Sequence, residues 1–262
     1  MKTMNRYLSL AVVLGAGLLS SCDKNAVQDI TGTVPGASIK FFNFGVNAPG
    51  VNFYANDTKV TAIQSATGIE SVLGTVYGGV GSGGLYSAIA PGQYTFSGKI
   101  AAAVDKDLAI SKTTSTIADG KRYSFYVSGF YDATGKAAEA FIVEDNFIAT
   151  IDYSVAYVRF VNAISNSSPM TLYAKNTVTM AEIPVGAAVA YKAGGVFTAV
   201  PNGVYDLSTR VGTVATNAIS RAATSFVAGR VYTIGARGDM TINPVTSATA
   251  VNRPFLDNTL NK

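Results

Sequence analysis

Cys22 is the single cysteine of this 262-residue chain, and its surroundings give the thiol a specific chemistry. It closes Leu19-Ser20-Ser21-Cys22, behind a basic start (Lys2, Arg6) and an apolar run from Tyr7 to Leu19. A charged n-region, an apolar h-region of roughly 7–15 residues and small residues at the cut make a secretory signal. A cysteine at the cut matches a bacterial lipobox, in which the thiol is diacylated and becomes residue one of the mature protein. Lipidation at Cys22 is therefore expected, with a membrane as the first partner. Two acyl chains anchor durably, where one binds reversibly. The competing reading is a buried thiol beside a transmembrane helix. That helix needs about 20 apolar residues, more than this run supplies. A lone cysteine also has no partner for an intramolecular disulfide.

Other chemistry-bearing groups are sparse. The chain has no His, which removes the commonest general base and metal ligand, and with it any Ser–His or Cys–His pair. A Ser–Lys dyad stays open, although nothing points to it. Asp105 and Asp107 stand close together, as do Glu144 and Asp145. Paired carboxylates do acid–base work or bind calcium, but neither pair has the spaced acids and Gly of a calcium loop. The first pair reads as a solvated loop and the second as surface charge closing a domain. The run Tyr77-Gly78-Gly79-Val80-Gly81-Ser82-Gly83-Gly84 lacks the Gly-Lys-Ser/Thr ending of a phosphate loop, so a flexible hairpin loop is expected. Catalytic residues, cofactors and metal ligands are accordingly assigned as none.

Removing residues 1–21 takes two basic residues and no acids, leaving 18 Lys+Arg against 16 Asp+Glu. That near-neutral balance forms no basic stripe, so nucleic acid is not an expected partner. Charged residues are only 14%, against a usual ~25%. Short Val-, Thr-, Ile-, Tyr- and Phe-rich runs between Gly, Asn, Asp and Pro read as strands.

The body repeats itself. Ile39-Lys40-Phe41-Phe42-Asn43 matches Val158-Arg159-Phe160-Val161-Asn162, and Tyr54-Ala55 matches Tyr173-Ala174. Ile89-Ala90-Pro91-Gly92-Gln93-Tyr94 matches Val200-Pro201-Asn202-Gly203-Val204-Tyr205. Gly120, Tyr123 and Gly129 match Gly229, Tyr232 and Gly238. The order is kept throughout, so the division reads as signal peptide 1–21, lipidated Cys22 and tether 22–36, repeat 37–147 and repeat 155–258. Asn43 and Asn162 close equivalent strands, where Asn commonly bonds local backbone; a ligand role stays open beside that. Val51–Ala55 and Met170–Ala174 alternate like half-buried strands. About seven strands per repeat, without an amphipathic helix, predict an all-β chain of two tandem antiparallel sandwiches of immunoglobulin-like architecture. Gly92 and Gly203, and Gly120 and Gly229, are expected at turns needing positive φ.

The strand ending in Asn, the loops Asn47-Ala48-Pro49 and Ser167-Ser168-Pro169, and the Pro-x-Gly-x-Tyr turn together resemble a known family. The strands opened by Gly120-Lys121-Arg122-Tyr123 and Gly229-Arg230-Val231-Tyr232 do so too. The chain is similar to lipoproteins carrying two copies of the domain of unknown function 4397, common in Bacteroidetes cell envelopes. It departs from that family's usual loop in having Phe44-Gly45-Val46-Asn47-Ala48-Pro49 with no His. The resemblance implies an exported β-sandwich at the cell envelope and supplies no catalytic residues. The expected function is a non-enzymatic, lipid-anchored envelope protein with a binding, adhesion or assembly role, partnered by an envelope protein or a glycan. Two alternatives stand beside it: a glycan-binding accessory module, which calls for a surface row of Tyr, and a carboxylate-dependent hydrolase. Asp23-Lys24-Asn25-Ala26 lacks an acidic export cluster, which favours an outer-membrane protein facing the periplasm over one on the surface.

Overall fold

The computed structural model describes residues 36–62, 69–243 and 247–262. Cys22, the signal segment and residues 22–35 of the tether lie outside the described residues. The first half holds β1 (Ala37–Asn43), β2 (Val51–Ala55), β3 (Thr58–Lys59), β4 (Gly79–Val80), β5 (Ser87–Ile89), β6 (Gly92–Ile100), β7 (Ala109–Ile117), β8 (Arg122–Asp132) and β9 (Ala137–Glu144). The second holds β10 (Val155–Asn162), β11 (Met170–Asn176), β12 (Glu182–Val189), β13 (Ala193–Gly194), β14 (Thr198–Pro201), β15 (Gly203–Val211), β16 (Ile219–Phe226), β17 (Val231–Arg237) and β18 (Phe255–Leu260). The chain is all-β, as expected.

Strand for strand, the halves share one topology. Sheet β4-β1-β8-β9, with β5 also on β1, corresponds to β13-β10-β17-β18, with β14 on β10. Sheet β3-β2-β6-β7 corresponds to β12-β11-β15-β16. Pairing is antiparallel except for β1 with β8 and β10 with β17, which run parallel. These central pairs join residues far apart in sequence, so no local turn signal announces them. The second half also runs beyond the expected boundary at 258, because β18 continues to Leu260.

Each half has its own core. Ile39, Phe41, Val51, Phe53, Phe96, Phe125 and Val127 fill the first. Val158, Phe160, Met170, Leu172, Leu207, Phe226 and Ile234 fill the second. A third cluster joins Phe42, Phe44, Tyr126 and Phe141 of the first half to Val161 and Ala163 of the second. Strands β1, β8, β10 and β17 therefore present one face to their own core and the other to the opposite half. This double cover explains why Tyr123–Gly129 is buried without a break. β2 likewise departs from the expected alternation, being buried at all five positions. Its outward Asn52 donates to Glu70 at 2.6 Å, and Lys99 stands 4.2 Å over the Tyr54 ring. The described residues pack as one compact unit.

The Gly-x-x-Tyr motif has a local purpose. Tyr123 and Tyr232 hydroxyls accept from the backbone N–H groups of Ala118 and Val227, five residues upstream, and so brace the turns at Gly120 and Gly229. Those two glycines do have positive φ, +69° and +75°. Gly203 does not, which corrects the expectation for that turn; a side chain there would instead crowd Asn176, 2.9 Å from the ideal Cβ. Gly120→Ala meets open space, so only backbone strain applies, about 1–2 kcal/mol. Gly229→Ala should cost more, because its Cβ would lie 2.9 Å from the Tyr153 ring. Thermal melts of the two variants check the order.

Candidate functional site

Charged side chains inside apolar strands are expensive unless paired, so Lys40 and Arg159 stand out. Both occupy the same position in their repeats, both are 1% exposed, and both face the opposite half. Arg159 donates through Nη1 to Glu144 O at 3.2 Å and through Nη2 to Asp145 Oδ1. Lys40 Nζ donates to Leu260 O at 2.9 Å and Asn261 Oδ1 at 3.1 Å. Pairing places Asp145 beside Arg122 and Asn261 beside Val231, so the two clasps are equivalent across a pseudo-two-fold axis. The correspondence extends outward. Ser124 Oγ donates to Asp145 Oδ2 at 2.8 Å, and Asn261 Nδ2 donates to Thr233 Oγ1 at 2.6 Å. Lys40 stands over the Tyr86 ring as Arg159 stands over Phe197, at 4.4 and 4.9 Å.

A second reciprocal contact flanks the first. Tyr191 shares a 3.0 Å hydrogen bond between its hydroxyl and Ser128 Oγ, while the matching Tyr77 ring lies 4.7 Å from the Arg237 guanidinium. The glycine-rich run is therefore no free hairpin loop. Gly78 N donates to Asn43 O, β4 pairs the end of β1, and a Cβ at Gly78 would sit 2.8 Å from Arg237. This glycine lets the loop close on the second half.

The pocket's electrostatics follow from burial. Desolvation pulls Lys40 down to about 8; Asp145 opposes that shift and Arg159 adds to it. Desolvation also pushes Tyr86 and Tyr126 well above the usual phenol range, and Tyr191 up to about 12. A tyrosine held neutral in the fold but free to ionise when unfolded favours folding fully below about pH 10, its unfolded value. That contribution falls as pH climbs toward the folded values. Stability should therefore drop steeply above about pH 10, and a tyrosinate absorbance titration should show Tyr86 and Tyr126 ionising only as the chain unfolds.

Among the sequence candidates, the pair at 144–145 splits. Glu144 meets Lys121 at the surface, 2.7 Å away, but Asp145 is buried on Arg159, contrary to the expected surface role. Asp105 pairs with Lys136 and Asp107 accepts from Tyr54, so neither joins a second carboxylate. Asn43 Nδ2 donates to the carbonyls of Pro49 and Thr75, and Asn162 Nδ2 to Val189 O and Ser167 Oγ. Both brace local loops. Among the described residues Tyr153 is the one exposed tyrosine; Tyr54 and Tyr173 lie on outer sheet faces under Lys99 and Arg210 and form no row, and most of the others serve cores and the junction. Sequence reasoning missed Lys40, Arg159, Tyr86 and Asn261. The available signal was a basic residue at the same place in both repeats, flanked by apolar ones.

An amine, a carboxamide, a carboxylate and a phenol thus share one buried junction. A cleft of about 290 Å³, lined by Arg159, Phe197, Glu144 and Gly194, opens on its Arg159 side. Among the described residues no helix is long and apolar enough to cross a membrane. Comparisons with protein-family models and with curated proteins return no match. Among solved structures, the Bacillus anthracis TIE protein aligns at 13% identity with a TM-score of 0.22, covering 77% of this chain and 34% of that chain.

Proposed function

We propose that this chain is a lipid-anchored envelope protein, held through Cys22, whose role is non-enzymatic binding or assembly with an envelope protein or glycan. One observation carries the binding reading. Ile69, Val72, Leu73 and Val76 are 71%, 58%, 66% and 52% exposed on the connection between β3 and β4. Their backbone is pinned: Thr75 exchanges hydrogen bonds with Val51, and Asn43 holds Thr75 O at 2.8 Å. Grouped apolar side chains held in solvent by a fixed backbone mark a contact surface. Glu70 and Lys59, paired at 2.8 Å, supply a polar rim. The loop packs at the end of β1 opposite to its start at Ala37, so the tethered end and the apolar loop lie apart on the body.

Two measurements test this. Cys22→Ser should abolish labelling by a clickable palmitate and release the protein from the membrane fraction; label persisting in the variant overturns the anchor. A photo-crosslinking residue at Val72 in intact cells should give a discrete adduct, lost on Ile69→Ser/Leu73→Ser with the melting temperature unchanged. An adduct pattern indifferent to those changes overturns the binding surface.

A further inference from the structure

Only one of the two equivalent clasps balances its charge. Arg159 meets a carboxylate, whereas Lys40 meets a neutral carboxamide and a backbone carbonyl. Two cations and one anion are buried together, and an ammonium facing neutral partners is costly to bury. The Lys40 pocket also contains what amide transfer requires. Nζ lies 3.1 Å from Asn261 Oδ1, which is one bond from the carboxamide carbon that the amine would attack. Asn261 Nδ2 is held by Thr233, which keeps Oδ1 turned toward the amine. The Tyr86 hydroxyl stands 3.5 Å from Oδ1 and donates to Asp145 at 2.6 Å, linking the amide oxygen to a carboxylate.

We propose that Lys40 and Asn261 react with each other to form an intramolecular isopeptide bond. The Lys40 ammonium gives one proton to Asp145 along the Asn261 Oδ1 and Tyr86 hydroxyl contacts, leaving a neutral amine. Its lone pair attacks Asn261 Cγ, and charge developing on Oδ1 is met by the Tyr86 hydroxyl. The Cγ–Nδ2 bond then breaks. A second lysine proton passes to the departing nitrogen and the third stays on the new amide. Ammonia leaves, taking up the proton parked on Asp145. Nothing is oxidised or reduced, and no co-reactant is needed. The product removes the unbalanced buried charge and ties β1 to the residue after β18, 221 positions away. Arg159 and Asp145 cannot do the same, since a guanidinium is a poor nucleophile and stays charged.

The test is a tryptic map of the whole mature protein after denaturation. The expected result is no cleavage after Lys40 and a branched peptide joining the Lys40 segment to the C-terminal segment, lighter than their sum by one ammonia. Lys40→Arg keeps the cation and its hydrogen bonds, as Arg159 shows, and should return both segments unlinked. Asn261→Ala should do so as well. Wild-type protein, folded before digestion, that yields cleavage at Lys40 and an unmodified Asn261 peptide overturns the proposal, however the variants fold.

Discussion

Asp145→Asn is expected to lower the unfolding free energy by about 3–5 kcal/mol, the range for breaking one side of a buried ion pair. The substitution keeps the side chain's shape but removes the anion paired with Arg159, so that guanidinium stays buried without a counter-charge. It also leaves Ser124 and Tyr86 donating to a neutral amide. Urea titration reads the loss directly. Glu144→Gln is the neighbouring control: its salt bridge to Lys121 is exposed and should be worth less than about 1 kcal/mol. The double variant Arg159→Met/Asp145→Leu should recover much of the loss, because an apolar pair of similar volume does not carry the desolvation cost. Equal effects at Glu144 and Asp145 would show that burial of the pair is not what matters.

Phe125→Ala should cost a similar amount, about 3–5 kcal/mol for truncating a fully buried Phe. Phe125 is 0% exposed and packs edge-on against Phe41 and Phe53, at 6.0 and 5.8 Å. Its neighbour on β8, Tyr126, points the other way and stacks on Phe42 at 4.4 Å in the cluster shared with the second half. Damage to the first core therefore reaches the second through one strand. We expect a single unfolding transition, shifted as a whole. Repeats that unfold independently would instead give two steps, with only one moved.

The strands were largely legible from composition and turn residues, because Gly, Pro and Asn punctuate the chain at short intervals. The repeat was legible too, since Asn43 and Asn162, and Tyr123 and Tyr232, keep their places for local reasons: loop bracing and turn bracing. What sequence could not show is how the halves meet. Asp145 follows a strand end, where charge ordinarily faces water, and nothing nearby signals that Arg159 covers it. Asn261 lies three residues beyond the boundary drawn from the repeat, and its partner Lys40 belongs to the first strand. The alternation expected for β2 failed for a related reason, since the covering Glu70 and Lys99 come from other segments.

The reciprocal clasps have a historical meaning. A face on which residue i meets j while the equivalent of j meets the equivalent of i is the self-complementary surface of a two-fold homodimer. The arrangement fits an ancestor with one copy of the repeat, assembled in pairs and later fused by gene duplication. In such a homodimer each position had to suit itself on both sides of the axis. Fusion lifted that demand. Position 126 could keep a tyrosine while its counterpart became Gly235, whose missing side chain leaves room for Phe44, 2.8 Å from where a Cβ would stand. One arm could keep arginine with aspartate while the other took lysine with asparagine.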